Sequence, residues 1–247
     1  MKQKFDKKSY EDLLKFILKS KLKISSFKDV NESGRSIIIR HDVDFCPVLA
    51  LDLALIDIKY NIKSTFFFLL RSSFYNTISS QNYNAIKKII SLGHTVGLHF
   101  DASIYRNKEL DANCRKEISI LEKIFDIKID IVSFHRPVKS LINTNKEIAN
   151  CKHTYMKKYF EDMVYCSDSE GRWRFKNPID IISKEINKID FKMQLLIHPI
   201  WWTTSGRLSS TSKLDYFLNK RKNYFMQQLE ENSKPYMNRK KAKIINK

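Results

Sequence analysis

Cysteine is sparse in this chain and never paired along it. Cys46, Cys114, Cys151 and Cys166 are the four thiols among 247 residues, and no C-x-x-C brings two of them together as a zinc knuckle or redox motif requires. Scattered thiols fit a reducing, cytosolic compartment. Long apolar runs are missing as well, and none approaches the roughly 20 uninterrupted residues that a membrane span needs. The opening Met-Lys-Gln-Lys-Phe-Asp-Lys-Lys leads into alternating charged and apolar residues, which lack the continuous apolar core of a secretory signal. A cytoplasmic protein without a membrane span is expected. The chain also has no internal repeat, no long flexible linker, no arginine-rich stripe and no aromatic-basic repeat.

The charge that is present is one-sided: 45 Lys and Arg against 27 Asp and Glu give a net of +18. Such a balance fits nucleic acid or an anionic surface as partner. The lysines, however, are dispersed along the whole chain among many isoleucines and asparagines, the mark of a compositional bias, so no nucleic acid is expected. The field still favours the approach of an anionic substrate such as a nucleotide sugar.

A chain of this length buries a sizeable core, and α/β barrels fill it as one domain. Ser9 as N-cap, followed by Leu13, Leu14, Ile17 and Leu18 at helical spacing, predicts an amphipathic helix on the outside of the main fold. After the turn signal Asn31-Glu32-Ser33-Gly34, residues 36–44 read as a strand, and Pro47 opens an apolar helix over 48–58. Strands over 64–70, 94–99 and 129–134 alternate with helices over 83–92, closed by Gly93, and over 111–125. The pattern then predicts helix over 145–159, strands over 163–167 and 193–197, and an amphipathic helix over 213–229 carrying Leu214, Phe217, Leu218 and Phe225. A frayed basic tail is expected over 234–247. Alternating strands and helices are the signature of βα units on a parallel sheet. The expected division is a helical extension over 1–35, an α/β barrel over 36–205, and a C-terminal helix with basic tail over 206–247.

Residues that carry chemistry fall at the strand ends. Ile37-Ile38-Ile39-Arg40-His41-Asp42-Val43-Asp44 is an apolar run closing on two carboxylates one residue apart, and strand alternation points both to the same side. Buried like charges cost free energy unless a cation or a shared proton offsets them. A metal site or an acid/base pair is therefore one reading; a solvated turn, or Asp44 capping the next helix, is the other. Four further strands end in the same manner, at His99, at His135 with Arg136, at Asp168 and at His198. In βα barrels such residues converge on the C-terminal mouth.

Several stretches match one family motif by motif. Arg40-His41-Asp42-Val43-Asp44 stands where that family carries a paired aspartate, in Asp-x-Asp form, and Ser64-Thr65-Phe66-Phe67 is similar to its second strand. Gly93-His94-Thr95-Val96-Gly97-Leu98-His99 resembles the approach to its metal motif, and Ser133-Phe134-His135-Arg136-Pro137 its Arg-Pro motif. Asp168 with Trp173 looks like its Asp-and-Trp motif, and Leu196-Ile197-His198 like its closing Leu-His motif. Over residues 37–202 the chain thus resembles polysaccharide deacetylases of the NodB-homology group, carbohydrate esterase family four, including WbmS-like bacterial members associated with surface-polysaccharide gene sets.

The resemblance implies a single-domain distorted (β/α) barrel with extra N- and C-terminal helices. It implies removal of an acetyl group from an N- or O-acetylated sugar with a divalent transition metal, zinc first among them; the expected intracellular location argues against a mature cell-wall polymer and favours a nucleotide-linked or lipid-linked sugar. Asp42 would be the general base, Asp44 and His99 metal ligands, and His198 the acid that protonates the leaving group, with Asp168 also in the catalytic set. Arg136 would orient Asp42 and hold its pKa down. Trp173, Trp201 and Trp202 would line the sugar pocket, or simply cover the barrel mouth.

One position departs from the family. Its metal motif has a second histidine four residues after the first, where this chain has Ser103. Asp101 and His135 are the possible replacements, whereas His94 lies roughly 16 Å away at ~3.3 Å per strand residue. His135 is the expected third ligand, since a catalytic zinc takes three protein ligands and keeps one open position. Without a third ligand the barrel would be a degenerate one that binds carbohydrate or a partner enzyme. A metal-dependent hydrolase of another bond, a deformylase or phosphoesterase, would use the same residue types.

Overall fold

The computed structural model describes residues 4–30, 33–204 and 209–237. It divides into two compact units, Met1–Thr203 and Thr204–Lys247. The first holds α1 (Lys7–Lys19), β1 (Lys23–Ile24), β2 (Arg35–Val43), α2 (Pro47–Lys59), β3 (Thr65–Phe68), α3 (Ser80–Ser91), β4 (Thr95–Phe100), α4 (Leu110–Phe125) and β5 (Ile131–Phe134). It continues through β6 (Lys152–His153), α5 (Lys157–Phe160), β7 (Val164–Ser167), α6 (Pro178–Lys184), β8 (Phe191–Ile197) and α7 (Pro199–Thr203). The second unit is built on α8 (Ser210–Asn232). Among the described residues no helix is long and apolar enough to cross a membrane.

The strands pair in parallel in the order β6-β5-β4-β3-β2-β8-β7, with β1 added beside the start of β2. The sheet therefore winds from β2 to β6 one way, while β7 and β8 return on the other side of β2. This is a distorted (β/α) barrel opened between β6 and β7. Cover on both faces of the sheet explains why its strands read as continuous apolar runs. Phe66 and Phe68 face the helices, with Leu98, Phe100, Val132 and Phe134. Phe67 faces the barrel interior with Ile38, Ile131, Met156, Tyr159, Met163 and Phe27, the last from the loop after β1. Gly97 on β4 makes room for that inner layer, because a Cβ there would stand 2.6 Å from both the Ile131 carbonyl and the Phe67 ring.

Gln194 of β8 spans the break. Its amide donates to the carbonyls of Thr154 at 3.1 Å and Tyr159 at 2.6 Å, both in the β6–β7 connection, and its Oε1 accepts from Arg40 Nη1 at 2.8 Å. Gln194 is fully buried, so Gln194→Leu would strand three polar groups without water. A loss of about 2–5 kcal/mol in denaturant-derived stability is the expected result, and a change below about 0.5 kcal/mol would show that the break is held by other contacts.

Three local expectations change. Asp6, not Ser9, caps α1, and the Ser9 N–H donates to its carboxylate at 2.7 Å. The helix expected over 145–159 is reduced to the single turn of α5 at its end: Ala149 and Asn150 both take left-handed φ, at 52° and 61°, and close a tight turn between Ile148 and Cys151. Two successive positive φ values suit a hairpin turn and end any helix. The expected tail is described only as far as residue 237, where 234–237 form one helical turn, and residues 238–247 lie outside the described residues. The helix α6 was not among the expected elements, although the sequence carries its signal in an Asn-Pro start: Asn177 caps it by accepting from the Ile179 N–H at 2.9 Å.

Candidate metal centre and active site

Alternation along β2 sorts its motif into two faces. Arg40 and Asp42 point into the barrel, while His41 points outward, where its Nε2 lies 3.1 Å from Asp57 Oδ2 and 3.3 Å from the Tyr10 hydroxyl. Tyr10 and Ser64 also donate to Asp57, at 2.6 and 2.7 Å, so this buried network ties α1 and α2 to the barrel wall. His94 belongs there too, accepting from the Ser64 N–H at 3.1 Å, and it plays no part at the mouth.

At the C-terminal mouth the strand ends converge. Asp44 Oδ1 lies 3.1 Å from His99 Nε2 at the end of β4 and 3.1 Å from His135 Nδ1 just after β5. Among the described residues, Asp44, His99 and His135 form a group whose ligand atoms all lie within 4.8 Å of one another. Ser103 is turned elsewhere, donating from its Oγ to Asp101 Oδ1 at 2.6 Å in a short turn after β4. Burial pushes the Asp44 carboxyl up, but hydrogen bonds from His135 and His99 and the charge of His198 outweigh it and hold the group well below the usual carboxylate range. The bond to Asp44 in turn raises His135.

Asp42 sits beside this group, 2% exposed, with Oδ2 accepting from Arg40 Nη2 and from Ser133 Oγ, each at 3.1 Å. Its Oδ1 is buried with no partner among the described residues. A void of about 10 Å³, the size of a single water, is lined by Asp42, Asp44, Cys46 and Ile200. On the other side His198 Nε2 lies 3.8 Å from Asp44 Oδ2, and its Nδ1–H donates to Asp168 Oδ1 at 2.6 Å. Burial lowers the His198 pKa, but the Asp168 charge and hydrogen bond prevail and push it up to about 9.

Two sequence expectations are corrected here. Arg136 does not reach Asp42: its guanidinium is largely exposed and pairs with Asp101 Oδ2 at 2.7 Å. The cation on Asp42 is Arg40, fully buried, and it was visible in the sequence as the residue two positions earlier on the same strand face. Trp202 does not line an open pocket either. It is 1% exposed, donates its indole N–H to Asp168 Oδ2 at 2.6 Å, and packs against Tyr10 and Phe5. The helix α7 begins at Pro199, directly after His198, and turns both Trp201 and Trp202 inward. Trp173 is half-buried against Phe5 and Trp202.

A cavity of about 940 Å³ opens at the opposite end of the strands, beside Thr65, Thr95 and Ile131, and three of its charged groups are committed elsewhere. Arg115 pairs with Asp111, Lys63 bonds the Leu92 carbonyl and Glu122 accepts from the Ile129 N–H.

The donor set fits a divalent transition ion. One carboxylate and two imidazoles, converging from three strand ends with an unpartnered buried carboxylate oxygen beside them, are the ligand types and the number that a catalytic zinc takes. Fold and site together define a (β/α) barrel with a candidate carboxylate–histidine metal centre at its mouth. No family model matches the chain, and no curated protein matches it. Solved structures to which it is similar include a CE4 family pseudoenzyme from Bacillus anthracis, at 17% identity over 76% of this chain and 60% of that one, with a TM-score of 0.40. The chain thus spans about three fifths of that protein's length. They also include the chitin deacetylase of the fungal pathogen Colletotrichum lindemuthianum, at 14% identity, 74% and 81% coverage and a TM-score of 0.41. A third is a polysaccharide deacetylase from Bacillus cereus, at 18% identity, 76% and 87% coverage and a TM-score of 0.42.

Proposed function

We propose that the chain is a metal-dependent deacetylase that hydrolyses an N- or O-acetyl group on a nucleotide-linked or lipid-linked sugar, in the cytoplasm, during synthesis of a bacterial surface polysaccharide. The convergence of Asp44, His99 and His135 beside Asp42 is the observation that carries this reading. It supports His135 as the third ligand in place of the residue missing at Ser103.

A zinc-like ion held by Asp44, His99 and His135 would supply Lewis acidity, acidifying water and polarising the acyl oxygen. The remaining work falls to the protein. Asp42, fixed through Oδ2 by Arg40 and Ser133, accepts at Oδ1 the proton of the attacking water. His198, held in one orientation by Asp168, carries a proton on Nε2 and delivers it to the leaving amine or alkoxide as the acyl bond breaks. Trp202 holds the far oxygen of Asp168 and so steadies that pair. Acetate and the free amine or alcohol are the products.

Acetate release from a panel of nucleotide sugars and lipid-linked acetylated sugars, with and without chelator, tests the reading. Release that chelator abolishes and added zinc restores is expected. Release indifferent to chelator would overturn the metal-dependent reading, and tight sugar binding without turnover would place the protein among degenerate barrels.

A further inference from the structure

The second unit carries a surface that the active site does not use. Along α8, Leu214, Leu218, Phe225 and Leu229 follow one another at steps of four, seven and four residues, which at 3.6 residues per turn aligns them in one narrow stripe. Leu218, Phe225 and Leu229 are 55%, 54% and 47% exposed, and Met226 beside them is exposed too. Phe217, on a different face of the helix, is buried. Large apolar side chains in a contiguous exposed row mark an interaction surface.

Charge identifies what fits it. Arg221 and Lys222 border the stripe, with the Arg221 guanidinium 4.8 Å from the centre of the Phe225 ring. The sequence after the helix, residues 234–247, holds Lys234, Arg239, Lys240, Lys241, Lys243 and Lys247 and no acidic residue. Across 204–247 there are eleven Lys and Arg against Asp215, Glu230 and Glu231.

We infer that this unit docks on an anionic lipid surface, with Leu218, Phe225 and Leu229 entering the headgroup boundary and the basic residues meeting the lipid phosphates. A polybasic run next to a helix with an apolar face is the pattern that anionic bilayers attract. Nucleic acid would meet the cations but gain nothing from covering Leu218, Phe225 and Leu229. A second copy would cover the leucines but set Arg221 and Lys222 against their own kind. The inference is independent of the deacetylase reading, because it concerns binding and a different unit.

Sedimentation of the full-length protein with vesicles of phosphatidylcholine, alone or mixed with phosphatidylglycerol, is the test. About tenfold or stronger partition onto the mixed vesicles is expected, weakening as salt shortens the screening length. Leu218→Glu with Phe225→Glu should lower that partition about tenfold while circular dichroism is unchanged. Should that pair perturb the helix, Lys240→Gln with Lys241→Gln and Lys243→Gln provides a second variant, expected to weaken binding in the same assay. Equal binding to both vesicle types, or binding that neither set of substitutions reduces, would overturn the inference. So would a lipid-free dimer that Leu218→Glu with Phe225→Glu dissolves, or single-stranded DNA bound in preference to the mixed vesicles.

Discussion

Asp44→Ala should leave the purified protein without bound metal, whereas Asp42→Asn should retain one ion per chain and lose turnover by about 10³-fold. The two aspartates are two residues apart on one strand face, yet their surroundings differ. Asp44 Oδ1 is the point where His99 and His135 meet, so its removal takes away the anionic member of the proposed three-ligand set. Asp42 meets Arg40 and Ser133 through one oxygen and leaves the other buried and unpartnered, a geometry suited to taking a proton. Metal content by atomic emission, compared with acetate release for the same preparations, separates the roles. His135→Ala should behave like Asp44→Ala, and Ser103→Ala should leave metal content unchanged because its hydroxyl is committed to Asp101. Metal retained at the native level by Asp44→Ala would sink the assignment.

Arg40→Met should destabilise the fold by about 3–5 kcal/mol, because it leaves the Asp42 charge buried without its cation. Arg40 is 0% and Asp42 2% exposed, so water cannot replace the lost partner. Burial alone would lower the proton affinity of the guanidinium, but the Asp42 carboxylate, with the phenols of Tyr155 and Tyr165, holds it above its usual value. Asp42→Asn should cost stability for the mirror-image reason, and its denaturation midpoint must be measured before its activity is interpreted. The double variant Arg40→Met with Asp42→Asn should lose less than the two single changes together, by about 1–3 kcal/mol in a double-mutant cycle. Additive losses would mean that Ser133, rather than the ion pair, fixes Asp42.

Much of this architecture was legible along the chain. The apolar runs at 37–39 and 66–68 could form only buried strands of a parallel sheet, since both faces had to be covered, and helices such as 111–125 declared themselves by period. The common direction of Asp42 and Asp44 followed from alternation alone; the same rule, carried two residues back, would have pointed to Arg40 instead of the expected Arg136. The turn at Ala149 and Asn150 was less accessible, because an alanine at positive φ carries no local signal; the pairing of Ile148 with Cys151 imposes it.

The sequence by itself therefore determined the element types, the parallel βα order and the placing of chemistry at strand ends, all of which depend on contacts within a few residues. Tertiary structure decided which of those ends meet. His135 reaches Asp44 across 91 residues, and Asp168 reaches His198 across 30, through a strand order that puts β8 and β7 beyond β2 rather than after β6. The same order gave Asp42 to Arg40 instead of Arg136, and folded Trp202 under α1 to hold Asp168. Register and strand order are set by the packing of the whole barrel, so no pattern confined to a short stretch could have fixed these pairings.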